Sequence, residues 1–182
     1  TQSSDGSWNL CIKARDNPGN ETTKCSGRYQ VDKTPPTATL DQKNGASADA
    51  SIWVHLSESD DKSGVARGDV DISINDGSWQ NYSDTINNFT YTGSCGNKYE
   101  FRYRVKDNAG NWSGFDYDGS VTIDCVAPTI SFNPTSRFWA NTNANVTVTA
   151  SDPSGVASTK YCWTTGSSCS PSTSFSNGAT LT

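Results

Sequence analysis

The chain has 182 residues, a formal net charge of −5 and a pI near 4.7, with one histidine and no methionine. Hydrophobic residues make up only 32%, and the Ser, Thr, Asn, Asp and Gly that replace them favour short strands and polar turns over long helices. The acidic balance disfavours nucleic acid as a partner. No apolar run approaches the roughly 20 residues that span a bilayer, so we expect no membrane insertion in this segment.

Alternating apolar and polar residues predict strands, which in chain order cover 8–14, 52–56, 70–74, 99–105 and 146–150. In the fourth of these, apolar residues at the odd positions alternate with Glu100, Arg102 and Arg104. That period of two is typical of a strand with one buried face. The first segment has the same pattern through Trp8, Leu10, Ile12 and Ala14.

Three pairs of segments repeat along the chain at offsets of 91, 92 and 91 residues. The pairs are ARDNPGN at 14–20 with VKDNAGN at 105–111, YQVDKTPPTATL at 29–40 with VTIDCVAPTISF at 121–132, and SDDKSGVA at 59–66 with ASDPSGVA at 150–157. Internal repetition at one period indicates a repeated structural unit. About seven strands in roughly 91 residues is the size of an immunoglobulin-like sandwich.

The motifs VDKTPPT, ASDPSGV and VKDNAGN, in this order and spacing, resemble the bacterial immunoglobulin-like (Big-type) tandem repeats of large surface and adhesin proteins. The resemblance covers the whole chain. It implies an all-β fold of tandem immunoglobulin-like β-sandwiches with about 91 residues per repeat, and a stalk, adhesive or scaffold role without a particular ligand. The cysteines depart from the family pattern, because many such repeats have none.

The Pro pair at 35–36 and the Ala-Pro pair at 127–128 mark the joints, since proline cannot extend a hydrogen-bond ladder. By the strand order of the family, residues 1–33 are the C-terminal strands of a preceding repeat, 34–126 a complete repeat, and 127–182 the N-terminal strands of a following repeat. The two outer pieces are complementary parts of one domain. We therefore expect neighbouring copies to associate head to tail as a filament, joined covalently in a longer polypeptide or by strand complementation between chains.

One end of the complete sandwich gathers the incoming linker, the second-to-third strand loop and the sixth-to-seventh strand loop. Acidic and amide side chains on these segments would converge there and offer calcium its oxygen ligands. The alternative is that they only cap turns by bonding their own backbone, with no metal. We expect no other cofactor. The candidate calcium ligands are Asp32, Asp60, Asp61, Asp107 and Asn108.

Other side chains are weaker candidates for a function. His55 is interpreted as a surface strand residue, and without a nucleophile elbow, phosphate loop or Cys–His pair we expect no enzymatic activity. The tryptophans 53, 79, 112 and 139 either pack against the protein or form a platform for sugars. Five sequons offer sites for glycans in a suitable host: Asn20, Asn81, Asn88, Asn111 and Asn145.

Six cysteines without paired CxxC spacing indicate disulfides rather than a zinc site, and hence an extracellular or cell-surface location. Residues equidistant from a hairpin turn face each other across the ladder, within bridging reach. The turn motif DNPGN lies midway between Cys11 and Cys25, and DNAGN lies midway between Cys95 and Cys125. Cys162 and Cys169 enclose WTTGSS in the same way. The predicted bonds are Cys11–Cys25, Cys95–Cys125 and Cys162–Cys169.

Two functions are compatible with these features. The first is a structural or adhesive extracellular repeat that forms a stalk, fibre or filament. The second is a carbohydrate-binding accessory module of a large secreted enzyme, which would bind a glycan or cell-surface ligand through aligned aromatic side chains.

Overall fold

The structure is a computed structural model that describes residues 3–136, 138, 139 and 141–182. Strands, turns and loops make up this part of the chain, and nothing in it forms a helix long and apolar enough to cross a membrane. The contacts divide the chain into two compact units, one ending at Ile123 and the other beginning at Asp124. This division lies three residues before the predicted joint at 126, and the repeat boundaries stay predictions.

The first unit begins with a two-stranded antiparallel hairpin of β1 (Gly6–Arg15) and β2 (Glu21–Val31). A disulfide joins Cys11 to Cys25, which are paired across the ladder with their Cα atoms 3.9 Å apart. The alternation in β1 predicts a buried face, but Leu10 and Ile12 are each 60% exposed. The strand forms as predicted, whereas its apolar face lies open because no second sheet covers it in the described chain.

Nine strands after the hairpin form the sandwich, and their bounds follow the sequence pattern closely. They are β3 (Thr37–Gln42), β4 (Gly45–Ser47), β5 (Ser51–Ser59), β6 (Val65–Ile74), β7 (Gln80–Ser83), β8 (Phe89–Thr92), β9 (Lys98–Asp107), β10 (Asp116–Tyr117) and β11 (Val121–Ile123).

The sandwich consists of two sheets that face each other across a shared core. One has the order β3-β5-β8; the other has the order β4-β11-β9-β6-β7, with β10 also paired to β9. Pairing is antiparallel except between β4 and β11. This division of strands is that of an immunoglobulin-like sandwich, and the all-β fold class is confirmed.

The core is built from the inward residues of both sheets. Strand β9 alternates between half-buried and buried along its whole length, as its sequence predicts, because its even positions face outward. Ile74 is predicted to be buried but is 42% exposed, since β6 ends there in a turn through Asn75 and Asp76 with positive φ. The fully buried apolar residues are Ile52, Val54, Val70, Phe101, Tyr103, Val105, Val121 and Ile123.

The second unit forms two smaller sheets. Strands β12 (Thr129–Asn133), β13 (Val146–Ser151) and β16 (Thr180–Leu181) form one, and β14 (Lys160–Tyr161) pairs with β15 (Thr173–Ser174) in the other. The pairing follows the sequence repeat.

The register makes the correspondence explicit. Phe132 is opposite Val148 just as Leu40 is opposite Leu56, 92 residues earlier. The predicted bond between Cys162 and Cys169 is present. Cys95 and Cys125 are disulfide-bonded as well, so every cysteine is oxidised.

Candidate metal centre

Three carboxylates meet at one end of the sandwich. Asp32 directly follows β2, Asp60 directly follows β5, and Asp107 is the last residue of β9. A carboxylate oxygen from each lies within 4.8 Å of the others. The cluster therefore joins the linker to two loops of the sandwich, as the sequence predicts for these three residues.

Asp107 is 2% exposed and is held by the turn that follows it. Its Oδ1 accepts hydrogen bonds from the backbone N–H of Gly110 at 2.6 Å and of Asn111 at 2.8 Å, and its Oδ2 accepts one from Asn111 Nδ2 at 2.7 Å. Burial alone would raise the pKa of Asp107, but these hydrogen bonds outweigh it and lower the pKa below its usual value. The group is ionised, as a cation ligand must be.

The other two carboxylates are also held by backbone donors. Asp60 Oδ2 accepts hydrogen bonds from the N–H groups of Lys62 and Gly64 at 3.1 and 2.6 Å. Asp32 accepts through both oxygens, Oδ1 from the Thr34 N–H at 3.0 Å and Oδ2 from the Ser63 N–H at 3.1 Å. Asp60 Oδ1, in contrast, is buried and has no hydrogen-bond partner in the described chain. A buried carboxylate oxygen without a donor is costly, and a bound cation would satisfy this atom.

The geometry suits a calcium ion. Calcium binds oxygens at about 2.3–2.6 Å, so two oxygens on opposite sides of one ion are about 5 Å apart. The three carboxylate oxygens lie within 4.8 Å of one another, so one ion can contact all of them. The donor set is all oxygen and carries up to three negative charges, which is the chemistry calcium prefers over softer metals. The residues therefore fit the ion, and backbone carbonyls and water would complete the shell.

One predicted ligand lies outside the cluster. The carboxylate of Asp61 pairs with Lys62 Nζ at 2.8 Å and faces solvent. Asp61 is next to Asp60 in sequence, and the two side chains diverge at the end of β5. Asn108 donates through Nδ2 to the carbonyls of Ser63 and Gly64 at 2.8 and 3.0 Å, which holds the neighbouring loop, and its role as a ligand stays a prediction.

Sequence patterns did not predict a further acidic residue at the joint, Asp5. Asp5, just before β1, accepts hydrogen bonds from the Lys33 N–H at 2.8 Å and the Thr34 hydroxyl at 2.5 Å. The Thr34 hydroxyl bond is the main cause of its lowered pKa. Asp5 has no acidic counterpart one repeat later, where the equivalent position is Gly96, so the repeat pattern carried no signal for it.

Arginines stack on the predicted aromatic platform. The Arg102 guanidinium lies 4.7 Å from the ring centroid of Trp79, and that of Arg104 lies 4.4 Å from the ring centroid of Trp112. On the opposite sheet Trp53 contacts the ring of His55, at 4.8 Å between centroids. Within the first unit, Trp53 therefore lies on a different sheet from the arginines that cover Trp79 and Trp112. Trp139, in the second unit, is fully exposed.

The sequon asparagines differ in accessibility. Asn20, Asn81 and Asn145 are exposed, and Asn88, also exposed, accepts the Leu56 N–H through Oδ1 at 2.7 Å. Asn111 is different, because its Nδ2 donates to Asp107 and to the Asp32 carbonyl. A glycan on that nitrogen would remove contacts that hold the cluster.

Comparison with known proteins identifies no family for this chain. No family model matches the chain, and no curated protein matches it. A solved structure of fibronectin(III)-like modules of Clostridium thermocellum CbhA is similar at 17% identity with a TM-score of 0.38, over 67% of this chain and 64% of that one. The chain thus spans somewhat less than two thirds of that structure. This similarity is too low to indicate a function.

Proposed function

We propose that the chain is a structural repeat module of a large extracellular protein of the bacterial immunoglobulin-like (Big-type) kind, and that calcium at Asp32, Asp60 and Asp107 fixes the joint between repeats. The observation that carries the proposal is the origin of the three carboxylates. One comes from the linker and two from separate loops of the sandwich. An ion bound to all three would tie the preceding hairpin to the sandwich.

Electrostatics supports a role for a cation at this joint. Without a bound ion, carboxylates this close repel one another, and the linker then gains little from approaching the loops. The nearby ammonium group of Lys62 pairs with two other carboxylates, Asp5 at 3.6 Å between Nζ and Oδ2 and Asp61 at 2.8 Å. Asp60 Oδ1 has no hydrogen-bond partner among the described residues.

The disulfides support an extracellular location. All six cysteines are oxidised, and such bonds persist in oxidising compartments. An extracellular module also meets the millimolar calcium concentrations at which sites of modest affinity fill.

The alternative, a carbohydrate-binding accessory module, has less support. Sugar stacking needs free aromatic faces, and arginine guanidinium groups lie over Trp79, Trp112 and Phe115. The same arginines are fixed by carboxylates, with Arg102 on Asp71 at 2.7 Å. These rings stabilise the outer face of the sheet through cation–π contacts. Selective glycan binding by the whole chain would reverse this preference.

Calorimetric titration of calcium into the whole chain tests the proposal. We expect this site to bind with a Kd of about 10⁻⁴–10⁻³ M, as in other extracellular modules. Asp60→Asn should abolish the heat of this site, since the amide can keep the turn but not the charge. The matched control Asp61→Asn should bind as the parent does. Absence of calcium heat from the parent, or equal heat from the Asp60 variant, would refute the proposed site.

A further inference from the structure

The second unit has an apolar groove between its two sheets, with a cavity volume of about 810 Å³. Ile130, Phe132 and Trp163 line it and are 62%, 51% and 54% exposed. Two of their counterparts in the complete sandwich are enclosed: Leu40, equivalent to Phe132, is 3% exposed, and Ile72, equivalent to Trp163, is 7% exposed. The groove therefore corresponds to part of the core of the complete sandwich, with its apolar side chains open among the described residues.

In the complete sandwich the cover is supplied by β9, β10 and β11. Strand β9 pairs along β6, with Ile72 opposite Phe101 and Val70 opposite Tyr103. In the second unit β14 is equivalent to β6, and among the described residues its one neighbour is β15. The position equivalent to β9 is empty of any described strand of that unit.

The β1–β2 hairpin matches this missing cover residue by residue. Trp8 pairs with Tyr29 as Tyr99 pairs with Val121, and Ile12 pairs with Lys24 as Tyr103 pairs with Asp116. Each pair is displaced by 91 residues on one strand and 92 on the other.

The turns of the two elements match as well. Asp16 accepts hydrogen bonds from the Gly19 and Asn20 N–H groups and from Asn20 Nδ2, which repeats the bonding of Asp107. The hairpin is therefore the same element as β9–β11, with its apolar face uncovered.

We propose that the groove of residues 124–182 binds the β1–β2 hairpin of a second copy of this chain. This names the partner of the structural module proposed above and rests on that proposal. By the register of β6 on β9, strand β1 adds to the free edge of β14. Ile12 of the second copy then lies opposite Tyr161, and Cys11 lies opposite Cys162. Since hairpin and groove are different surfaces, the contact is heterologous, and each added copy leaves one hairpin and one groove for the next.

The apolar surface available is sufficient for a specific contact. Aromatic side chains bury about 150–250 Å² each, and four at the contact are about half exposed: Trp8, Tyr29, Phe132 and Trp163. They and the aliphatic residues Leu10, Ile12 and Ile130 together offer on the order of 700 Å², before the added backbone ladder is included. With the ladder the total approaches the roughly 1,000 Å² that a specific interface needs.

The contact also rebuilds the acidic cluster. Asp124 is the counterpart of Asp32, and by the strand register Asp152 follows β13 as Asp60 follows β5. Asp124 already contacts the side chains of Asp152 and Ser154. The third counterpart is Asp16, which the second copy would bring with its hairpin. Calcium should therefore tighten the association, and chelation should weaken it while the apolar contact persists.

Sedimentation velocity of the whole chain tests the contact directly. We expect elongated oligomers whose size grows with protein concentration. Leu10→Asp should weaken association by roughly 100-fold or more, because it buries an unpaired charge, and the exposure of Leu10 leaves the single chain folded. The matched control Asn9→Asp, on the opposite face, should associate as the parent does. A parent that stays monomeric at every concentration would overturn the proposal.

Crosslinking gives a second, independent readout. In Lys13→Cys/Lys160→Cys the native disulfides remain and hold the hairpin. Mild oxidation should link the two new thiols between chains, because Asp69 is opposite Arg104 and the same register places residue 160 opposite residue 13 of the second copy. Peptide mapping should find residue 13 joined to residue 160 and a ladder of covalent oligomers. Links of residue 13 to residue 13 or of residue 160 to residue 160 would indicate a symmetric dimer and contradict the register.

The two proposals fail separately. If the chain forms oligomers but shows no heat of calcium binding, the calcium proposal is wrong and the hairpin contact stands. If the chain binds calcium but stays monomeric, the hairpin contact is wrong and the calcium proposal stands.

Discussion

At the scale of single residues, Gly68 and Asp107 occupy positions in the β6–β9 strand pair where the packing is tight. Gly68 in β6 has no room for a side chain, because an added Cβ would lie 2.4 Å from the Thr85 carbonyl oxygen and 2.6 Å from the Tyr103 ring. Tyr103 is fully buried and cannot move aside without disturbing the core. Asp107 closes the end of the same strand pair, opposite Val65.

Gly68→Ala should therefore lower the free energy of unfolding by about 1–3 kcal/mol, the usual cost of overpacking. Urea unfolding followed by tryptophan fluorescence measures it. Gly114→Ala is the control, since nothing lies within 4 Å of its added Cβ. Equal stability of the two variants would mean that the contact at Gly68 relaxes without cost.

Acid should destabilise the first unit through Asp107 and Asp5, whose pKa values are lowered in the folded state. A lowered folded pKa favours the ionised folded form, so its stabilisation is present above the unfolded pKa of about 3.9 and is lost as the pH falls through the folded value. We expect the melting temperature to drop steadily below about pH 4. Asn111→Ala should reduce that drop, because it removes a donor to Asp107. A melting temperature independent of pH in this range would contradict the assignment.

At the scale of elements, the hairpin is the one that depends most on its disulfide. A two-stranded ribbon is marginal by itself, and β1 and β2 are exposed along nearly their whole length. The Cys11–Cys25 bond closes a loop of 14 residues, which contributes about 3 kcal/mol by chain entropy.

Cys11→Ser/Cys25→Ser should therefore free the hairpin amides to exchange with solvent, while β5 and β9 stay protected in the core. Hydrogen exchange with peptide resolution measures this. Cys162→Ser/Cys169→Ser, which removes a bond from the second unit, should leave hairpin exchange unchanged. Continued protection of β1 without its disulfide would show that tertiary contacts hold it.

Sequence patterns predicted the positions of the strands better than the burial of their faces. Alternation identifies β9 and β1 equally well, yet β9 is buried and β1 is open, because burial depends on a second sheet that local sequence does not encode. The symmetric spacing of cysteines about a turn was sufficient for Cys11–Cys25, since a hairpin converts spacing into contact. Spacing did not separate Asp60 from Asp61, whose side chains diverge at the end of β5.

At the scale of the whole molecule, one repeated unit accounts for both compact units and for the hairpin. The same strand pairs recur at offsets of 91 and 92 residues, and the same Asp–Asn turn closes β1–β2 and β9–β10. In the proposed structural role, the stiffness of an array of such modules depends on its joints. The joint at Asp32, Asp60 and Asp107 is the one that the proposed calcium ion would fix.

The most direct test of a calcium-held joint is the thermal unfolding of the whole chain with saturating calcium and with a chelator. At about 100 times the Kd, calcium should stabilise the folded state by about 2.7 kcal/mol, and the melting temperature of the first unit should rise by roughly 10 °C. Asp60→Asn should abolish the rise and Asp61→Asn should retain it. Identical melting curves for the parent in calcium and in chelator would contradict the account.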